Sequence, residues 1–272
     1  MYRILLIDDP TATRAITGVE SQLGQAGLPL QRRPARQAGL PPWTQYPETE
    51  GQQDLAWLMP LSACPLQLPD TWRITALSAR HPAGLYLTMP IALREPGAPL
   101  GLPDGAAVDA GPLAAAYLHS LVPSVRITPG AAARVGCWPK ETAPDPTERH
   151  EQILHPREFP PAAGSGIWAW LTHPDALPLR RALKILHHPE TARVSNVERA
   201  LARRFHQAGI DLAGIHAQTD QQGLIHLWMA WSDPGDGQLQ RAGISSATHL
   251  GLEDLAWAKT GLNFDTLPSS PS

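Results

Sequence analysis

Proline constrains this chain more than any other residue. Twenty-nine of its 272 residues are proline. Each fixes φ and removes a backbone donor. Runs such as Gly39-Leu40-Pro41-Pro42 and Pro96-Gly97-Ala98-Pro99 break the sequence into short elements joined by stiff connectors.

Between those breaks the pattern is α/β. Arg3 to Ile7 is apolar, ends at Asp8-Asp9-Pro10, and predicts a buried parallel strand. Thr11 can cap a helix through Arg14, Ile16, Val19 and Leu23, with Gly27 stopping it. Residues 29–53 are polar, rich in Pro and Gln, and read as loop. Asp54–Leu61, Thr71–Leu77 and Gly84–Met89 are strand candidates, and Leu93–Asp104 reads as a crossing between domains. Ala106–Val108 and Val125–Thr128 are short strands around a helix over Pro112–Leu121, whose proline suits a first turn. Residues 136–149 are polar and broken by proline; Ile167–Leu171 predicts a strand and Asp175–His187 a helix.

The last eighty residues form the clearest pattern. Asn196 can cap a helix to His206. Strands near 212–218, 224–232 and 238–245 follow, separated by Thr219-Asp220-Gln221-Gln222-Gly223 and Asp233-Pro234-Gly235-Asp236-Gly237. An amphipathic helix over Leu250–Lys259, ended by Gly261, closes an α-β-β-β-α module.

Composition removes several classes of function. With 43% hydrophobic and 17% charged residues, the chain suits a packed domain rather than a disordered one. A net charge of −3, with no basic stripe beyond Arg32-Arg33 and Arg203-Arg204, argues against a nucleic-acid surface. Cys64 and Cys137 are the two cysteines, too few for a disulfide framework and without metal-ligand spacing. The apolar run before Asp8 is short for a signal peptide, and no stretch approaches the ~20 apolar residues of a membrane span. A cytoplasmic protein with no membrane partner is expected.

Three motifs carry a resemblance. Leu102-Pro103-Asp104-Gly105-Ala106-Ala107-Val108 is similar to the Leu-Pro-x-Gly-Ala-x-Val opening of the second domain of hydroxymethylbilane synthases (porphobilinogen deaminases). Phe159-Pro160-Pro161-Ala162-Ala163-Gly164-Ser165-Gly166 resembles their Pro-Ala-Val-Gly-Gln-Gly signature. His188-Pro189-Glu190-Thr191 with Val197-Glu198-Arg199-Ala200 resembles their entrance to the third domain. The resemblance implies an α/β protein with two periplasmic-binding-protein-like domains flanking a cleft. A small α+β C-terminal domain, a three-stranded antiparallel sheet with helices, would follow. The implied divisions are 1–94 with 167–190, 98–166, and 193–265.

That family condenses porphobilinogen on a dipyrromethane primer held by a thiolate. A carboxylate stabilises cationic intermediates, and arginines and lysines pair with the substrate's acid groups. The positions implied for these groups have lost them. Ile210 stands at the primer cysteine. Ser62 and Ala63 stand at the lysine and aspartate of the catalytic motif. Ile7, Ala114 and Ala115 stand at substrate arginines, and Ser165 at the signature glutamine. The residues therefore predict no catalytic set, no attached dipyrromethane and no metal. The expected role is a scaffold, regulator or binding protein for an unidentified protein or small molecule. An active or weakly active synthase and a small-molecule binding module remain as alternatives.

Other constellations have plainer readings. His173, His187 and His188 invite a metal, but adjacent histidines diverge on a helix and suit its C-terminal dipole. Asp8-Asp9 fits a helix N-terminus, and Glu198-Arg199 a structural ion pair. Trp168 and Trp170 share a strand face and read as packing; Trp228 and Trp231 must face opposite sides, one core and one exposed.

Overall fold

The computed structural model describes residues 3–6, 23–24, 55–81, 84–137, 149–233 and 235–262. Among the described residues it is a mixed α/β structure with three sheets and four α-helices besides the helical pair Leu23 and Gly24. The chain forms two compact units: 1–81 with 166–192, and 82–165 with 193–272. No helix among the described residues is long and apolar enough to cross a membrane.

In the first unit, β1 (Arg3–Leu6), β2 (Leu55–Pro60), β3 (Arg73–Leu77) and β9 (Trp168–Thr172) form a sheet of order β1-β2-β9-β3. β1 pairs parallel to β2, as its continuous apolar run predicts. β9 is buried along its whole length, so Trp168 and Trp170 are both core residues. Ala169 and Leu171 face a cluster with Trp57, Leu61, Cys64 and Trp72. Leu23 and Gly24 are helical, and Leu23 is buried; the rest of the predicted first helix, with Ile7, Asp8 and Asp9, lies outside the described residues.

The first unit also holds α2 (Leu177–Leu183) and the start of α3 (Pro189–Gln207). The sequence predicts one helix over 175–187; instead α2 tightens into a 3-10 turn over Lys184–Leu186. The sequence also places a cap at Asn196, but that residue lies inside α3. The true cap is His188, whose Nδ1 accepts the Thr191 backbone N–H at 3.2 Å, with Pro189 at the first helical position. No glycine or proline lies between Glu190 and Ala208. Once started, the helix has no reason to stop earlier.

The second unit contains a five-stranded sheet of order β6-β5-β7-β4-β8 and a three-stranded sheet of order β10-β11-β12. The first uses β4 (Leu85–Pro90), β5 (Ala107–Ala110), β6 (Arg126–Ile127), β7 (Ala133–Cys137) and β8 (Arg149–Leu154). β4 pairs with β7 and β8, so it belongs here, whereas the sequence-based division at 94 groups it with the first sheet. The crossing expected at 93–104 likewise lies within this unit, as turns and a 3-10 segment. β7 and β8 were hidden by proline-rich sequence between them. α1 (Pro112–Leu121) buries Ala114, Tyr117 and Leu118 against the sheet's core.

The C-terminal module has the predicted order. β10 (Ala213–Thr219), β11 (Ile225–Ser232) and β12 (Leu239–Ser246) make an antiparallel sheet, followed by α4 (Leu252–Thr260). Gly261 takes φ 70° and ends α4. One sheet face carries Ile215, Ala217, Leu227, Met229 and Trp231 into a core with Leu201, Phe205 and Trp257.

Candidate functional site

Of the positions that the resemblance marks as functional, Ile210, Ser165 and Ala114 are buried in the structure. Gly209, at φ 72°, follows α3 in the left-handed conformation. The Gly209 N–H donates to His206 O at 3.0 Å and the Ile210 N–H to Phe205 O at 2.8 Å. These two bonds close the helix C-terminus, and such a closure places an apolar residue after the glycine. Ile210 is that residue; it is buried in the same core as Phe205.

The loop before Ser165 is also tied down. Tyr117 Oη donates to Pro160 O at 2.7 Å, and the Ile215 N–H donates to Pro161 O at 2.8 Å. Ser165 Oγ donates to Ala162 O at 2.7 Å within the loop, and Ser165 is buried. Glu198, on α3 and fully buried, accepts the Gly164 N–H at 2.8 Å and the Ala217 N–H at 2.6 Å. Its carboxylate therefore clamps loop to strand, a more specific task than the ion pair the sequence suggests. Ala163 packs on the core that contains Ile210. The fold thus brings the Ser165 loop and Ile210 together around one core. Burial pushes the Tyr117 phenol's pKa up, against the lowering influence of Arg241. Gly214 admits no side chain here, since a Cβ would collide with Pro160 O and Tyr117 Oη.

Ala114 is buried in the α1 core and Ala115 is half-buried beside it. Ser62 and Ala63 lie in the first unit, exposed on a 3-10 turn after β2, and Cys64 next to them is buried. The three histidines each have a backbone task. His187 Nδ1 accepts the Leu77 N–H, His188 caps α3, and His173 Nδ1 accepts the Asp175 N–H. Among the described residues, no group of three or more His, Cys, Asp or Glu side chains could hold a metal.

A different cluster of polar side chains stands apart from the positions that the resemblance marks. It lies on the other face of the C-terminal sheet, where antiparallel register sets His216 opposite Trp228, and His226 opposite Ser245. His226 Nδ1 lies 2.8 Å from Ser245 Oγ, and its Nε2 lies 2.9 Å from Asp220 Oδ2. Asp220 is itself fixed, because Oδ1 accepts the Gln222 and Leu224 N–H groups, each at 2.9 Å. These bonds, the His226 one foremost, hold the Asp220 carboxyl below its ordinary pKa.

Trp228 supports the imidazole. Its ring lies nearly parallel to His226, with centroids 5.8 Å apart, and nearly parallel to buried His216 at 6.1 Å. His155 meets it edge-on at 5.7 Å. Gly243, opposite Trp228, leaves room for the indole, because a Cβ there would sit 3.2 Å from Trp228 Cδ1. Trp231 points to the core, as opposite facing requires; Trp228 is half-buried rather than exposed.

Sequence reasoning missed this cluster, although a signal was present. Folding the hairpin about Asp233–Gly237 puts residue 226 opposite 245, and Asp220 lies in the turn before β11.

By sequence, no protein family and no curated protein matches the chain. Among solved structures, it is similar to the substrate-binding domain of a molybdenum ABC transporter from Clostridium difficile. That likeness has a TM-score of 0.42 and 8% identity, over 69% of this chain and 92% of the other.

Proposed function

We propose that this chain is a hydroxymethylbilane synthase-like protein of tetrapyrrole-biosynthesis ancestry. It no longer polymerises porphobilinogen; it serves as a scaffold, regulator or binding protein. On this reading its architecture is two periplasmic-binding-protein-like domains and a small α+β C-terminal domain, with no attached dipyrromethane.

One observation carries the reading. Ile210, at the position implied for the primer thiol, is a packed helix-closing residue with no atom that can form a thioether. The alanines at the implied aspartate and arginine positions agree with it. They offer neither a carboxylate to steady a pyrrole cation nor a guanidinium to pair with its acids.

The test is direct. Purified protein incubated with porphobilinogen is expected to consume none above a protein-free control, and its intact mass should match the bare polypeptide. Consumption of porphobilinogen, or a covalent dipyrromethane, would overturn the proposal in favour of an active synthase.

A further inference from the structure

We infer that Ser245, His226 and Asp220 form an activated-serine site that takes an acyl group from weakly basic leaving groups, such as aryl esters or thioesters, and passes it to water.

The proton positions follow from the donors available. A carboxylate only accepts, and the bonds around Asp220 keep it ionised, so His226 Nε2 carries the hydrogen it donates to Asp220 Oδ2. When neutral, the ring presents a lone pair at Nδ1, 2.8 Å from Ser245 Oγ, to which the hydroxyl can donate. Hydroxyl, imidazole and carboxylate are thus in the order that general-base activation needs, each within hydrogen-bond reach of the next. Nδ1 faces the hydroxyl and Nε2 the acid, which changes the ring edge used but not the proton path.

The support is built in. The turn's backbone N–H groups fix Asp220, β11 and β12 are paired at His226 and Ser245, and Trp228 stacks on the imidazole. Ser245 is exposed, so a donor can reach it. Its neighbour Ser246 donates instead to Thr248 O, which leaves its oxygen without a base.

The chemistry balances. Ser245 Oγ bonds to the acyl carbon as its proton passes to His226 Nδ1. The leaving group departs with the bonding pair and takes that proton. Water then attacks the acyl-serine as its proton passes to Nδ1; Ser245 Oγ leaves with the bonding pair and takes that proton back, which frees the carboxylic acid and regenerates the hydroxyl. Leaving groups of this class depart as weak bases. An open sheet face can therefore serve them where a poor leaving group would need a fuller site.

The full chain is treated with p-nitrophenyl acetate, and acetylation is mapped by peptide mass spectrometry with nitrophenol release followed in parallel. Acetyl on Ser245 but not Ser246 is expected, together with nitrophenol release that Ser245→Ala abolishes. His226→Phe retains an aromatic ring beside Trp228 but has no base, and is expected to slow acetylation at least about a hundredfold. Equal labelling of Ser245 and Ser246 in the native chain overturns the proposal, as does undiminished labelling in a His226→Phe protein with a native melting curve. Should His226→Phe fail to fold, the comparison of the two serines in the native chain still decides.

Discussion

The two faces of the C-terminal sheet use polar chemistry in opposite ways. On the inner side, Glu198 is fully buried and both its oxygens are committed to backbone N–H groups; around it, Ile210, Phe205 and Trp231 close the core. On the outer side, Asp220, His226 and Ser245 are bonded to one another near solvent, with Asp220 and His226 side chains each 29% exposed. A buried acceptor that loses its role leaves orphaned donors, whereas an exposed one leaves groups that water can satisfy. The inner face is therefore where substitution should cost stability, and the outer face is where it should cost chemistry.

The largest effect that tests this contrast is Glu198→Ala. Two buried backbone donors, from Gly164 and Ala217, lose their acceptor, at roughly 1–3 kcal/mol each. Denaturant melts should show a loss of about 2–6 kcal/mol. A loss below 1 kcal/mol would mean that the carboxylate is not the clamp between loop and strand.

Next comes the helix closure. Ile210→Ala should cost roughly 2–4 kcal/mol through lost packing, and Gly209→Ala about 1 kcal/mol through its left-handed φ. A tolerated alanine at 210 would remove the reason for regarding this position as structural. By contrast Ala63→Asp, which places a carboxylate on an exposed turn, should stay within about 0.5 kcal/mol.

A smaller effect is set by pH. The folded-state pKa of Asp220 lies below the ordinary carboxyl value of 3.8. The unfolded chain therefore binds the proton first as pH falls. The resulting stabilisation is complete above the unfolded value and disappears as pH drops through the folded one. Asp220→Asn should flatten this part of the acid-side stability curve, while leaving neutral-pH unfolding cooperative. An unchanged acid slope would show that the contact to His226 does not persist in solution.

Much of the fold was legible because its elements follow local rules. Pro112 at a first turn, the alternating strands from 213 to 246, and Gly261 after the last helix all act within a few residues. The failures arose where tertiary contacts decide. His188 caps a helix although its residue type is a poor local cue, and β7 and β8 acquire their strand character from pairing with β4. The site was harder still. Ile210 and Ala114 could be singled out through the resemblance, but Asp220, His226 and Ser245 lie apart in sequence, and the antiparallel register with the turn before β11 assembles them.

The smallest stability effect makes the sharpest contrast. Ser245 is exposed on β12, opposite His226, and its hydroxyl contributes one hydrogen bond that water can replace. Ser245→Ala should therefore change unfolding free energy by no more than about 0.5 kcal/mol, measured by urea titration. If alanine at 245 instead cost 2 kcal/mol, the hydroxyl would be a structural strut like Glu198, and the two faces would not differ in kind. A near-neutral result leaves a bonded, solvent-facing hydroxyl whose removal the fold does not register, as is required of a group available for reaction rather than packing.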